Sequence, residues 1–245
     1  MTIVRKVLIA AIIAFGLAGC AQVPVNAGSD PSDPWESFNR QTYAFNSTLD
    51  DHVLKPVAQA YKDVVPRPVR SSVTNFFTNL GEPRNFINAL LQGKPDFAAR
   101  SFFRFIINTT VGIGGLFDVA SHLDLELARE DFGQTLAVWG VGDGPYVVWP
   151  ILGSSTVRDT VGLAGDFAML PQTYVMEDNL EAGIALWTLD VVDTRASLIG
   201  PDEILQSAID PYVAVRNAYQ QSRTNAIYDG NPPMDLTQDD FEDEE

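Results

Sequence analysis

The stretch from Pro95 to Ala120, PDFAARSFFRFIINTTVGIGGLFDVA, constrains this chain more than any other. Pro95 suits the first turn of a helix, where its missing N–H has no partner to lose. Wound at helical pitch, Phe105, Ala98, Phe102, Ile106, Ala99, Phe103 and Ile107 sweep an apolar arc of about 200°. Arg100, Arg104 and Ser101 share the narrow polar side. A surface helix of a soluble domain shows a stripe nearer about 100°, so this helix is covered on most sides, by protein or by lipid. From Pro95 to Asn108 it is about 21 Å long, short of the ~30 Å hydrocarbon core, and does not cross a bilayer alone. It then enters an apolar, pliable loop in which Ile113 sits among Gly112, Gly114 and Gly115. Two readings stand: a buried core helix closed by a glycine turn, and a wall or gate against acyl chains.

The chain start bears on that choice. Arg5 and Lys6 precede a short apolar run, Val7 to Leu17, which reads as a secretory leader over residues 1–19. The leader ends Leu17-Ala18-Gly19-Cys20, which resembles the lipobox of bacterial lipoproteins, and Cys20 is the sole cysteine. The alternative is an ordinary leader with an incidental cysteine. By that resemblance Cys20 becomes a multiply acylated N-terminus, and two or more acyl chains anchor firmly where one does not. Ala21 stands where an Asp would signal inner-membrane retention, which favours the outer membrane of a Gram-negative cell. A single cysteine allows no intrachain disulfide. The net charge of −16 argues against nucleic acid and against attraction to anionic headgroups. Membrane contact must therefore come from the anchor and from apolar surface.

Along the mature chain, residues 20–32 read as acylated cysteine and tether. Asp33-Pro34-Trp35-Glu36 reads as a helix start with Asp33 as cap, followed by a seam of Trp35, Phe38, Thr42, Phe45 and Leu49, with Asn39 off it. Short helices are expected over Pro56 to Val64, Pro68 to Leu80 and Arg84 to Gln92, with Val69, Val73, Phe76, Phe77 and Leu80 inward and Gly81-Glu82-Pro83 as a stop. Asp131 to Val138 reads as a short helix. Gly140, Gly142 and Gly144 have the spacing of a dinucleotide loop, but Pro145 and the extended Tyr146 to Trp149 follow where a helix is required, so a turn into a strand is expected. Further helices are expected over Ser154 to Leu170, with Gly162 and Gly165 inside, over Asn179 to Leu198, with a seam of Leu180, Ile184, Trp187, Val191 and Leu198, over Asp202 to Ala208, and over Tyr212 to Ile227 behind Asp210-Pro211. The acidic tail, residues 229–245, reads as disordered. Helices dominate and strand signals are few, so the expected fold is mostly α, in one domain over residues 33–228.

Catalytic and metal signatures are weak. His52 and His122 are the only histidines, and neither has the clustered company a metal site needs. Gly153-Ser154-Ser155 lacks the second glycine of a nucleophile elbow. No catalytic residue and no cofactor is expected.

Taken in order, the motifs resemble the VacJ/MlaA outer-membrane lipoproteins over nearly the whole mature length. The matching stretches are Asp33-Pro-Trp-Glu-Ser-Phe-Asn-Arg40, Val65-Pro-Arg-Pro-Val-Arg70, Asn79-Leu-Gly-Glu-Pro83, Arg104 through Asn108 to Asp118, Asp131-Phe-Gly-Gln-Thr-Leu136, Gly140-Val-Gly-Asp-Gly-Pro-Tyr146, Arg158-Asp159, Asp193-Thr-Arg-Ala196 and Asp210-Pro-Tyr212. The resemblance implies a ring-like helical bundle lying in one membrane leaflet, with a central channel. It implies removal of misplaced phospholipid from the outer leaflet, association with a trimeric porin, and hand-over to a periplasmic phospholipid carrier. Candidates for the channel mouth are Phe105, Arg158, Asp159, and the loops at Gly112, Ile113, Gly114, Gly115 and at Gly140, Gly142, Gly144, with Gly112–Gly115 as the expected hinge. Where some relatives carry a basic residue before the tryptophan matched by Trp187, this chain has Leu186. The alternatives are an envelope scaffold without transport and a lipoprotein phospholipase that uses His52 or His122.

Overall fold

The computed structural model describes residues 24 and 27–233. The expected leader, Cys20 and most of the acidic tail lie outside the described residues. The chain order is α1 (Glu36–Leu49), a π-helical turn (Asp50–Leu54), α2 (Lys55–Val64), α3 (Arg67–Leu91), α4 (Pro95–Thr110), a 3-10 turn (Ala120–Leu123), α5 (Phe132–Val138), β1 (Tyr146–Trp149), β2 (Gly153–Thr156), α6 (Val157–Met169), α7 (Pro171–Asp178), α8 (Leu180–Leu198), α9 (Pro201–Gln206) and α10 (Pro211–Ile227). The fold is mostly α, as expected. β1 and β2 form an antiparallel hairpin with Tyr146 opposite Thr156.

Helix α3 is the hub: it packs against α4, α5, α6, α7 and α8. The sequence reading broke it at Gly81-Glu82-Pro83, whereas it runs unbroken for 25 residues with Pro83 inside. Proline removes one helical hydrogen bond and crowds the preceding turn. The residues flanking it offset that cost, because Glu82 accepts from Arg104 Nε at 2.6 Å and Asn85 accepts from the Glu130 N–H at 3.3 Å. Three further expectations shift. Asp33 does not cap α1; Trp35 occupies that position, and Asp33 is buried instead among Asn39, Tyr212 and Arg216. Ser154 to Thr156 is strand rather than helix. Helix α7 was not anticipated.

The larger correction concerns which side of each helix faces inward. On α1 the buried residues are Glu36, Asn39 and Thr42, while Trp35 and Phe38 are exposed. On α3 they are Asn79, Glu82, Asn85, Asn88 and Ala89. On α4 they are Ala98, Ser101, Arg104 and Asn108, while Phe102, Phe103 and Ile106 are exposed. On α8 Leu180, Ile184, Trp187 and Leu198 point out, and Val192, Asp193, Arg195 and Ala196 point in. Periodicity finds a helix and its two faces, but it does not say which face is inside. Here the polar stripe is the core.

That core is held by paired polar groups. Arg104, 1% exposed, joins Glu82 on α3 and donates to Asp118, to Ser121 Oγ at 3.0 Å and to the Leu125 carbonyl at 2.6 Å. Thr135 donates to Asn88 at 2.8 Å, and Gln92 and Lys94 both reach Glu130. Asn39 clamps β1, donating to the Tyr146 carbonyl and accepting from the Val148 N–H. Helices α5 and α6 touch through glycine: a Cβ on Gly162 would stand 2.6 Å from Gly133 Cα. Both Gly162 and Gly165 thus serve the close packing the sequence suggested.

Removing one partner of a buried pair strands the other charge, at a cost of about 3–5 kcal/mol. Glu82→Leu should therefore lower unfolding stability by that order in detergent solution. Phe103→Leu, on the exposed side of α4, should change it by under about 0.5 kcal/mol. Denaturant titration followed by circular dichroism checks both.

Candidate functional site

A cavity of about 340 Å³ lies between α3 and α8, closed on a third side by Leu127 and Arg129. Helix α3 contributes Thr74, Thr78 and Arg84, and helix α8 contributes Asp190, Asp193 and Ser197. A second cavity of about 340 Å³ shares Thr74, Asp193 and Ser197 and adds Lys62, Arg67 and Arg70. The two form one groove along α3.

The walls are fixed from behind. Asp193 accepts from Tyr61 Oη at 2.8 Å and from Thr74 Oγ1 at 2.6 Å, which ties α8 to α2 and α3. Two residues on, Arg195 donates to Asp50 at 2.7 and 2.8 Å and to Asp202 at 2.6 Å. Asp50 opens the π-helical turn, whose extra residue turns α1 into α2 and sets this carboxylate under α8. Burial, reinforced by the neighbouring Asp193 charge, pushes the Asp190 carboxyl up, and Arg84 opposes that shift. The Arg84 Nε is buried without a hydrogen-bond partner. Phe77 and Leu127 make the remaining wall apolar. The groove offers charges and hydroxyls for holding a polar ion.

The candidates read from the sequence lie elsewhere. Phe105 is half-buried on α4. The segment from Gly112 to Gly115 is a closed turn: the Gly114 and Gly115 N–H groups donate to the Thr109 and Asn108 carbonyls at 2.9 and 2.8 Å. Gly115, at φ +88°, lies so close to Asn79 that a Cβ would stand 2.6 Å from the Asn79 Cβ, while Ile113 is 64% exposed. Gly140, Gly142 and Gly144 sit in an exposed loop that leads into β1. Arg158 is buried and pairs with Asp143 of that loop and with Asp159 at 3.0 Å. Asp159 also accepts from Tyr219 at 2.7 Å and from Arg223 at 2.9 Å, and Arg223 bridges to Asp131 at 2.6 Å. Arg158 and Asp159 therefore belong to an ion network that joins α5, α6 and α10. His52 and His122 are exposed, with the His52 ring against the Thr48 carbonyl. Cys20 lies outside the described residues.

Arg84, Arg129, Asp190 and Asp193 were missed as site residues. One signal pointed to the last two: Asp190-Val-Val-Asp193 places two carboxylates inside the most apolar of the long helices.

Among the described residues no helix is long and apolar enough to cross a membrane. Fold and site define a helical protein of inverted polarity, with ion pairs inside and large apolar side chains exposed. The chain belongs to the MlaA lipoprotein family, whose profile matches residues 31–226. Similar proteins are the intermembrane phospholipid transport system lipoproteins MlaA of Shigella flexneri and of Escherichia coli (strain K12), each 41% identical over 93% of both chains. That of Haemophilus influenzae is 36% identical over 92% of both. A solved structure described as "Structural basis for maintenance of bacterial outer membrane lipid asymmetry" superposes with a TM-score of 0.71 at 39% identity, covering 82% of this chain and 100% of that one.

Two carboxyls outside the groove, lining a pocket with Tyr219 and Arg223, titrate in opposite senses. Burial pushes Asp166 up to about 6, against the pull of Arg84 and the Phe132 N–H. Between the ordinary value of 3.8 and about 6 the folded state holds the proton more tightly, so this group makes stability fall as pH rises through that window. Burial also raises Asp131, but the Arg223 hydrogen bonds and charge outweigh it and hold the carboxyl at about 2, so its contribution is lost only as pH falls below the ordinary range. Asp166→Asn keeps an oxygen for the Phe132 N–H and should stabilise the protein by about 2 kcal/mol at pH 7.5, with no gain at pH 3.5. Melting curves at the two pH values check it.

Proposed function

We infer that this chain is a phospholipid-transport lipoprotein of the outer membrane. It sits in one leaflet, anchored through Cys20, and takes misplaced phospholipid from the outer leaflet towards a soluble periplasmic carrier. The observation that carries this reading is the inversion of polarity. Phe102, Phe103, Ile106, Ile113, Phe117 and Trp139 are exposed, while Arg104, Glu82, Asn88 and Glu130 are buried. Exposed apolar surface on this scale marks contact with lipid or with another protein, and backbone groups at membrane depth are satisfied inside helices. The 41% identity to proteins named for intermembrane phospholipid transport supports the same reading. The groove along α3 is the passage for the headgroup. The Gly112–Gly115 turn and the Gly140–Gly144 loop, the latter held by Arg158 and Asp159, lie away from that groove and are proposed as points where the protein meets the surrounding lipid. A trimeric porin covers part of the apolar belt, and the reaction is transfer without bond cleavage.

The test is photo-crosslinking in cells with the probe at Ile113, and then at Thr78 inside the groove. Both positions should capture phospholipid, and a probe at Gln221, an exposed polar position on α10 away from the groove, should not. Porin captured without lipid at either site would make the protein a scaffold. The double variant His52→Ala, His122→Ala should restore outer-leaflet lipid composition in a deletion strain as fully as the unaltered protein; loss of restoration would point to hydrolysis.

A further inference from the structure

The cations of this protein fall into two groups. Arg40, Lys94, Arg104, Arg158, Arg195, Arg216 and Arg223 each pair with a carboxylate. Lys62, Arg67, Arg70, Arg84 and Arg129 make no ion pair among the described residues, and all of them line the groove between α3 and α8. Outside the groove only Lys55 and Arg100 lack a carboxylate partner among the described residues, and Arg100 stacks over Phe97. A chain of net charge −16 has carboxylates to spare. Unpaired cations gathered in one groove of such a chain mark a place kept for an anion from outside.

The groove carries the opposite charge as well. Both Asp193 oxygens are occupied, by Tyr61 and Thr74. Asp190, which lines the same cavity as Arg84, accepts no hydrogen bond among the described residues. The Arg84 guanidinium has only a long 3.5 Å contact to its neighbour Asn85, and its Nε is buried with no partner. The two charges share one cavity without pairing with each other. A group carrying a phosphate and an ammonium fits both, whereas a second anion would meet the repulsion of Asp190 and Asp193.

Resting on the transport reading above, we propose that this groove is a headgroup track selective for zwitterionic phospholipid. Arg84 and Arg129 take the phosphodiester, Asp190 takes the ammonium, and Arg70, Arg67 and Lys62 receive the phosphate as the lipid moves along α3. Phe77 and Leu127 leave an apolar wall for the glycerol and the first methylenes.

The test uses the acylated protein in detergent with a photo-probe at Thr78 or at Ile113. It is offered an equal mixture of phosphatidylethanolamine, phosphatidylglycerol and diacylglycerol with the same acyl chains, and the captured lipid is weighed by mass spectrometry. The Thr78 probe should capture phosphatidylethanolamine about tenfold over phosphatidylglycerol and leave diacylglycerol uncaptured. Arg84→Gln and Arg129→Gln should each cut phospholipid capture about tenfold, and Asp190→Asn should level the two phospholipids. Arg100→Gln should change nothing. Arg129 is exposed, so its variant decides the matter if Arg84→Gln fails to fold. Unchanged capture in folded variants, or diacylglycerol captured equally, overturns the track. Excess inorganic phosphate that binds in an Arg84-dependent way while no lipid is captured at Thr78 would make this a free-phosphate site and also overturn it. Lipid captured at Ile113 but not at Thr78 sinks the track and leaves transport standing; lipid captured at neither sinks both.

Discussion

The rest of the structure depends on Arg104 being fully inside and fully partnered. Its guanidinium meets Glu82 across the α3–α4 contact and gathers Asp118, Ser121 and the Leu125 carbonyl from the segment that follows. A charge buried alone is strongly unfavourable, and one held by several well-placed acceptors is tolerated. Its acceptors come from α3 and from the chain after the glycine turn, so satisfying this one side chain closes the hairpin and fixes the loop. Asn108 repeats the device one turn later, donating to Asp118 and accepting from the Ala120 N–H.

Such polar cross-links follow from where the apolar surface lies. Between helices facing lipid there is no hydrophobic driving force, because acyl chains are as apolar as Leu or Phe. Hydrogen bonds, ion pairs and close backbone packing must hold the helices together instead. The structure shows all three, in the Arg104–Glu82 pair, the Asn39 clamp on β1 and the Gly133–Gly162 contact. An Asn or Glu on these inner stripes does the work of a Leu in a soluble bundle.

This accounts for what the sequence could and could not tell. Helix positions were legible from capping and spacing: Asp131 accepts from the Gln134 N–H, Asn179 from Ala182, Asp210 from Val213, each where the sequence placed a helix start. The wide apolar arc of α4 was legible as a helix, but Phe102, Phe103 and Ile106 on it are exposed rather than covered by protein. The inner face was not, because the rule that apolar seams point inward assumes water outside. Pro83 misled for a related reason: its local cost is real, but Glu82 and Asn85 hold the helix through it from partners distant in sequence. Arg158 and Asp159 were legible as a pair, and their place in a network with Tyr219 and Arg223 was not, since nothing local links α6 to α10. The groove was the least legible feature, because Arg84, Arg129 and Asp190 come together only when α3, α8 and the segment before α5 are assembled.

Polarity inversion and the groove are two consequences of one constraint. A bundle with hydrocarbon outside must neutralise each interior charge with another side chain, and most of its arginines obey. A cation left without a carboxylate in such an interior would be strongly unfavourable unless water or a ligand reached it. The unpaired cations therefore trace the wet part of the molecule. Arg67, Arg70 and Arg84 lie on α3, with Lys62 on α2 and Arg129 on the segment before α5 beside the same groove. The polar core carries α3 unbroken through Pro83, and Asp193 and Arg195 fix α8 against α3 and against the π-helical turn. A rigid polar core beside an unneutralised stripe leaves a charged groove in an otherwise apolar surface without opening the bundle.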